Sequence, residues 1–140
     1  MPIPHPYGFY DRSKKIFSTK HTSYIDNLAL ADRYLAHIRR LLEHDNQWDR
    51  ATVIVMGDHS WRTSFIWKDS MTWTDDDEAA SHGGEFDPRP AYIVKLPNQQ
   101  TPARIDQPFS AVSTRALLDA LFQDHLQTPA SLQTWASQQK

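Results

Sequence analysis

The sequence predicts an α/β fold, a mostly parallel sheet flanked by helices, and only part of such a fold. Three stretches carry this expectation. Ala51-Thr52-Val53-Ile54-Val55-Met56 is a short apolar run rich in β-branched residues, the mark of a buried strand, and it stops abruptly at Gly57-Asp58-His59. The segment from Ser23 to Leu42 has helical periodicity, and Ala91-Tyr92-Ile93-Val94-Lys95-Leu96 reads as a second strand ended by Pro97. A carboxylate and an imidazole at the carboxyl end of a strand stand where an open α/β sheet usually keeps its ligands.

The first twenty residues hold Pro2, Pro4 and Pro6 and the aromatics Tyr7, Phe9 and Tyr10, followed by Asp11, Arg12, Lys14 and Lys15. Proline fixes φ and removes backbone donors, so an ordered, extended loop is expected, with His5 held stiffly between two prolines. Thr22 or Ser23 can cap the helix that follows, and Asp26 both answers Ser23 in a capping box and puts negative charge in the first turn. Ile25, Leu28, Leu35, Ile38 and Leu42 form its apolar stripe, while Arg33, His37, Arg39, Arg40 and His44 fall mostly on the solvated face. Residues 45–50 make a polar turn containing Trp48.

Beyond Gly57-Asp58-His59, residues 60–90 read as one long connection with Trp61, Phe65, Trp67 and Trp73 among polar residues. Long loops in compact domains are commonly functional, and so much tryptophan argues for a lid or a substrate wall. The acidic run Asp75-Asp76-Asp77-Glu78 reads as a solvated loop, since consecutive carboxylates point different ways. His82-Gly83-Gly84 is a second tight corner in which the glycines permit close backbone approach to a ligand. Ser110 or Ser113 caps a helix through Leu117, Leu118, Leu121 and Phe122, and Thr128-Pro129 opens a short terminal helix bearing Leu132 and Trp135. Residues 1–126 are expected to form the main domain, and 127–140 a short terminal helix with a polar tail.

Composition narrows the function classes. The 140 residues are 39% hydrophobic and 23% charged, with a formal charge of −2, and there is no basic run interleaved with aromatics, so nucleic acid is not an expected partner. With no cysteine, thiolate metal sites are excluded. One hard oxygen and one imidazole, from Asp58 and His59, suit Zn²⁺ or Mn²⁺, but a tightly held ion needs more than two protein ligands. His5 and His82, each in rigid surroundings, are the candidates to complete the set. Alternatively Asp58 orients His59 as a general base, or the histidines are all structural.

The helix opening Ser23-Tyr24-Ile25-Asp26-Asn27-Leu28, the turn with Trp48-Asp49, the run from Ala51 to Arg62 and the run from His82 to Pro97 together resemble the C-terminal part of the sulfatase catalytic domain. They are also similar to the phosphoethanolamine-type transferases and nucleotide pyrophosphatases of the wider alkaline phosphatase superfamily. The resemblance extends over about residues 3–122 and is strongest over 23–62. It implies an alkaline-phosphatase-like sandwich and a sulfate- or phosphate-ester substrate. It implies a divalent metal (Zn, Mn or Ca) bound by Asp58 and His59, with His5 and His82 on the substrate or a second metal. Arg89-Pro90 looks like the Arg-Val-Pro of sulfatases with one residue lost, and Lys95 and Arg62 become candidates for substrate contact. Relatives of this type are often membrane-anchored or extracytoplasmic.

The family's nucleophile belongs to an N-terminal half that nothing in this sequence matches, and without cysteine no formylglycine can form here. Two strands are also too few for an independent sheet, and both would have bare edges. The chain is therefore expected to hold part of a domain, completed by the missing N-terminal half or by self-association, and to be inactive alone. The competing expectation is a non-catalytic binding module that uses the tryptophan-rich loop 61–73 and an exposed sheet edge.

Overall fold

The computed structural model of the chain describes residues 8–20, 22–63 and 73–139, which leaves His5 and most of the tryptophan-rich loop outside the described residues. Two compact units are present, the first formed by residues 1–42 and 56–92, the second by residues 43–55 and 93–140.

In the first unit, β1 (Tyr10–Asp11) and β2 (Ile16–Phe17) make a small antiparallel hairpin with Tyr10 opposite Phe17 and Asp11 opposite Ile16. The Asp11 carboxylate forms its turn: Oδ1 accepts from the Ser13 and Lys14 amides at 3.0 and 2.9 Å and from Ser13 Oγ at 2.6 Å. These bonds, with Lys14 Nζ on Oδ2, hold the carboxyl far below the usual carboxylate range. The charged patch after the prolines is thus a hairpin turn, where the sequence suggested only loop.

Helix α1 (Tyr24–His44) begins as the sequence predicts. Ser23 Oγ accepts from the Asp26 amide at 3.0 Å and Asp26 Oδ2 accepts from the Ser23 amide at 3.0 Å, the reciprocal capping box. Its apolar stripe is only partly covered: Ile25, Leu35, Ile38 and Leu42 are half-buried, whereas Leu28 and Leu41 are exposed. The acidic run does not form a solvated loop, because Thr74 and Asp77 make a second capping box that opens helix α2 (Asp75–Ala80). Asp77 is 1% exposed, and its Oδ1 also accepts from the Ile25 amide at 3.2 Å, so the carboxylate fastens α2 to the first turn of α1.

The second unit contains α3 (Thr114–Phe122), preceded by one 3-10 turn (Ala111–Ser113), and α4 (Pro129–Gln138) with Thr128 as N-cap and proline at its first position. Leu96, Leu117, Ala120, Leu126, Leu132 and Ala136 form its apolar core. Lys95 closes the polar turn 45–50: Nζ donates to the carbonyls of Trp48, Asp49 and Ala51 and lies 5.0 Å from the Trp48 ring centre.

Among the described residues, the strands β3 (Val53–Met56) and β4 (Tyr92–Lys95) pair only with each other. Backbone bonds flanking the ladder join Gly57 to Ala91 and Asp49 to Asn98, so positions rise along one strand as they fall along the other, and the pair is antiparallel. The expected alkaline-phosphatase-like sandwich with a mostly parallel sheet is therefore incorrect. The described residues hold two antiparallel two-stranded sheets and four helices. A parallel pair needs a crossover, usually a helix, to carry the chain back to its starting end. Here Ala91 lies beside Gly57, so the chain re-enters the sheet at the end it left, and a strand-end Asp-His pair is equally compatible with that geometry.

Candidate functional site

The corner after β3 depends first on Gly57. A Cβ built there would lie 3.0 Å from the His59 carbonyl oxygen and 3.4 Å from Pro90 Cβ, so a side chain at this position would push its neighbours back by a few tenths of an ångström. Asp58 then projects into solvent with its side chain 91% exposed, and its Oδ1 accepts from the His59 amide at 3.0 Å. His59 Nδ1 lies 2.7 Å from the Ser60 carbonyl. A carbonyl can only accept, so Nδ1 carries the proton, and in the neutral ring Nε2 keeps its lone pair. That nitrogen is 3.9 Å from Asp58 Oδ1.

The corner forms one side of an open cleft of about 520 Å³ lined by Asp58, His59, Ser60, Arg62, Phe86, Pro88 and Pro90. Arg62 is exposed and has no hydrogen bond or ion pair with the described residues. Thr63, buried beside it, donates from Oγ1 to the Glu85 carbonyl at 3.0 Å and ties the two lining segments together. Next to the corner, Tyr24 stacks on Trp61 with ring centres 4.6 Å apart, and Trp73 leans on Trp61 at 5.6 Å. Burial pushes the Tyr24 hydroxyl up to about 12, with the negative charge of Asp58 adding to the shift.

Of the residues named from sequence, the structure brings together Asp58, His59 and Arg62. His82 is exposed, sits in the left-handed region at φ 53° ahead of Gly83 at 83° and Gly84 at 80°, and does not line the cleft. Lys95 commits its ammonium to three carbonyls, and His5 lies outside the described residues. Ser60, Phe86, Pro88 and Pro90 are lining residues that sequence reasoning missed. The period-two spacing of Phe86, Pro88 and Pro90 was the available signal, since alternate positions of an extended segment share a side.

The donor chemistry at the corner fits part of a metal site. A hard oxygen and an imidazole nitrogen 3.9 Å apart are within reach of one ion bound at roughly 2.0–2.2 Å by each. Donation of the ring's second N–H to a carbonyl is the usual support of a metal-ligating histidine. Among the described residues, however, no group of three or more His, Asp or Glu side chains could hold an ion. No family model matches the chain, and no curated protein and no solved structure matches it.

Proposed function

We propose that the Asp58-His59 corner is half of a divalent-metal site for a phosphate or sulfate ester, belonging to a hydrolase or transferase whose remaining ligands are not supplied by the described residues. The observation that supports it most is the pairing of a solvent-facing carboxylate with a histidine whose Nδ1 proton is spent on the Ser60 carbonyl. Ser60 O fixes the ring's tautomer and aims Nε2, while the His59 amide steadies the Asp58 carboxylate. When bound, a Zn²⁺ or Mn²⁺ ion would supply Lewis-acid polarisation of the ester's oxygens and stabilise charge as it develops. Arg62 would hold a second oxygen of the anion by a charge-assisted hydrogen bond. Without a cation, Asp58 opposes any anion entering the cleft, so anion binding should require the metal.

Calorimetric titration of the chain with Zn²⁺ and Mn²⁺ tests this reading. Weak saturable binding that disappears in Asp58→Ala/His59→Ala is expected. Equal binding by the parent chain and the double variant would remove the metal role.

The second reading, a non-catalytic binding module, is favoured by the position of His82 off the cleft and by the apolar side chains left on the surface, Ile93 among them on β4. It predicts that the double variant changes neither metal nor anion binding.

A further inference from the structure

The side of the cleft facing the Asp58-His59 corner is apolar and stiff. Phe86, Pro88 and Pro90 line it at alternate positions, and Phe86 is 40% exposed. The intervening residues do not line the cleft but bind each other: Arg89 Nε donates to Asp87 Oδ1 at 2.8 Å and Nη2 to Oδ2 at 2.6 Å, while the Arg89 amide donates to Oδ1 at 2.9 Å. A bidentate clamp between the two prolines adds to their fixed φ values, so the three rings are held in place before any ligand arrives. Such preorganisation lowers the cost of ordering the site on binding. The clamp also draws the Asp87 carboxyl down to about 2.

The cleft thus has a charged side, Asp58, His59 and Arg62, and a flat apolar side of three rings. Its volume of about 520 Å³ is far larger than a bare oxyanion requires and lies within the range of about 300–1,000 Å³ typical of small organic ligands. We infer that the site takes an aryl ester, with the anionic group at the charged side and the aromatic ring of the leaving alcohol laid against Phe86, Pro88 and Pro90. This assignment rests on the half-site proposed above and adds the substrate class. A flat ring matches rigid flat walls over more area than a short alkyl chain does, and Phe86 can meet it edge to face or offset-stacked.

The test is calorimetric titration of the full chain, in saturating Mn²⁺, with phenyl phosphate, ethyl phosphate and inorganic phosphate. Phenyl phosphate should bind about tenfold more tightly than ethyl phosphate, the gain expected for covering much of one ring. Phe86→Ala should erase that advantage and leave ethyl phosphate affinity unchanged, and Phe86→Leu, which keeps apolar bulk but no flat face, should erase most of it. Arg62→Ala should weaken all three anions alike. Equal affinity for phenyl and ethyl phosphate would overturn the aryl assignment while leaving the half-site standing. Phenyl phosphate binding that needs Phe86 but ignores Mn²⁺ and Asp58→Ala/His59→Ala would keep the wall and overturn the half-site. If none of the three anions binds, both readings fall.

Discussion

Tyr24 reports on the corner at the level of one residue. Its hydroxyl titrates near 12, against an ordinary value of 10, first because it is buried and second because Asp58 is negative. Between these two pH values the unfolded chain releases the proton and the folded chain keeps it. The folded state then binds more protons, so stability must fall as pH rises through that window. We expect the urea midpoint to drop from pH 10 toward pH 12, and Tyr24→Phe to flatten that drop. Tyrosinate absorbance in Asp58→Asn should show this one residue titrating at lower pH than in the parent chain. An unchanged titration would mean that Asp58 does not reach Tyr24 electrostatically.

The elements show where sequence reasoning succeeds and where it stops. The start of α1 was legible because Ser23 and Asp26 make a local, reciprocal capping box whose spacing is visible in the sequence. Thr128-Pro129 at the head of α4 was legible for the same reason. Helix α2 was missed although Thr74-Asp75-Asp76-Asp77 carries a comparable signal, because four consecutive carboxylates suggested a solvated run. What decides it is tertiary: Asp77 is buried against the first turn of α1, and the Ile25 amide donates to it. Asp77→Ala would leave that amide and the Thr74 donors unsatisfied, so a loss of about 2–3 kcal/mol is expected in urea unfolding. Asp75→Ala, at an exposed position of the same turn, should cost less than about 1 kcal/mol. Comparable losses for both would mean that α2 is held only by helix-end charge. The candidate site was half legible in the same way. Gly57-Asp58-His59 announced itself, whereas Phe86, Pro88 and Pro90 join the same cleft through tertiary contacts such as the bond from Thr63 to the Glu85 carbonyl. The direction of β4 relative to β3 was not legible, because side-chain patterning fixes a strand's faces but not the sense of its pairing.

At the scale of the whole molecule, much apolar surface remains uncovered. Val112 is 90% and Phe122 84% exposed, Ile93 and Phe17 are also open, and neither strand of the β3–β4 pair has another neighbour among the described residues. Unpaired strand edges and exposed apolar side chains favour association. Ile93→Lys and Phe122→Lys should therefore lower the sedimentation-derived average mass of concentrated solutions while leaving the unfolding free energy within about 0.5 kcal/mol of the parent. A marked loss of stability instead would mean that these side chains pack within the fold. The association expected here would cover apolar surface, and the half-site reading does not depend on it. That reading depends on Asp58 and His59 sharing one ion.

The most direct measurement of that sharing is paramagnetic broadening by trace Mn²⁺ in the nuclear magnetic resonance spectrum of the isotope-labelled chain. Selective loss of the Asp58, His59 and Ser60 signals is predicted, with the Ser60 signal retained in Asp58→Ala/His59→Ala. Broadening centred on the acidic residues 75–78, or spread evenly over the exposed carboxylates, would contradict the account.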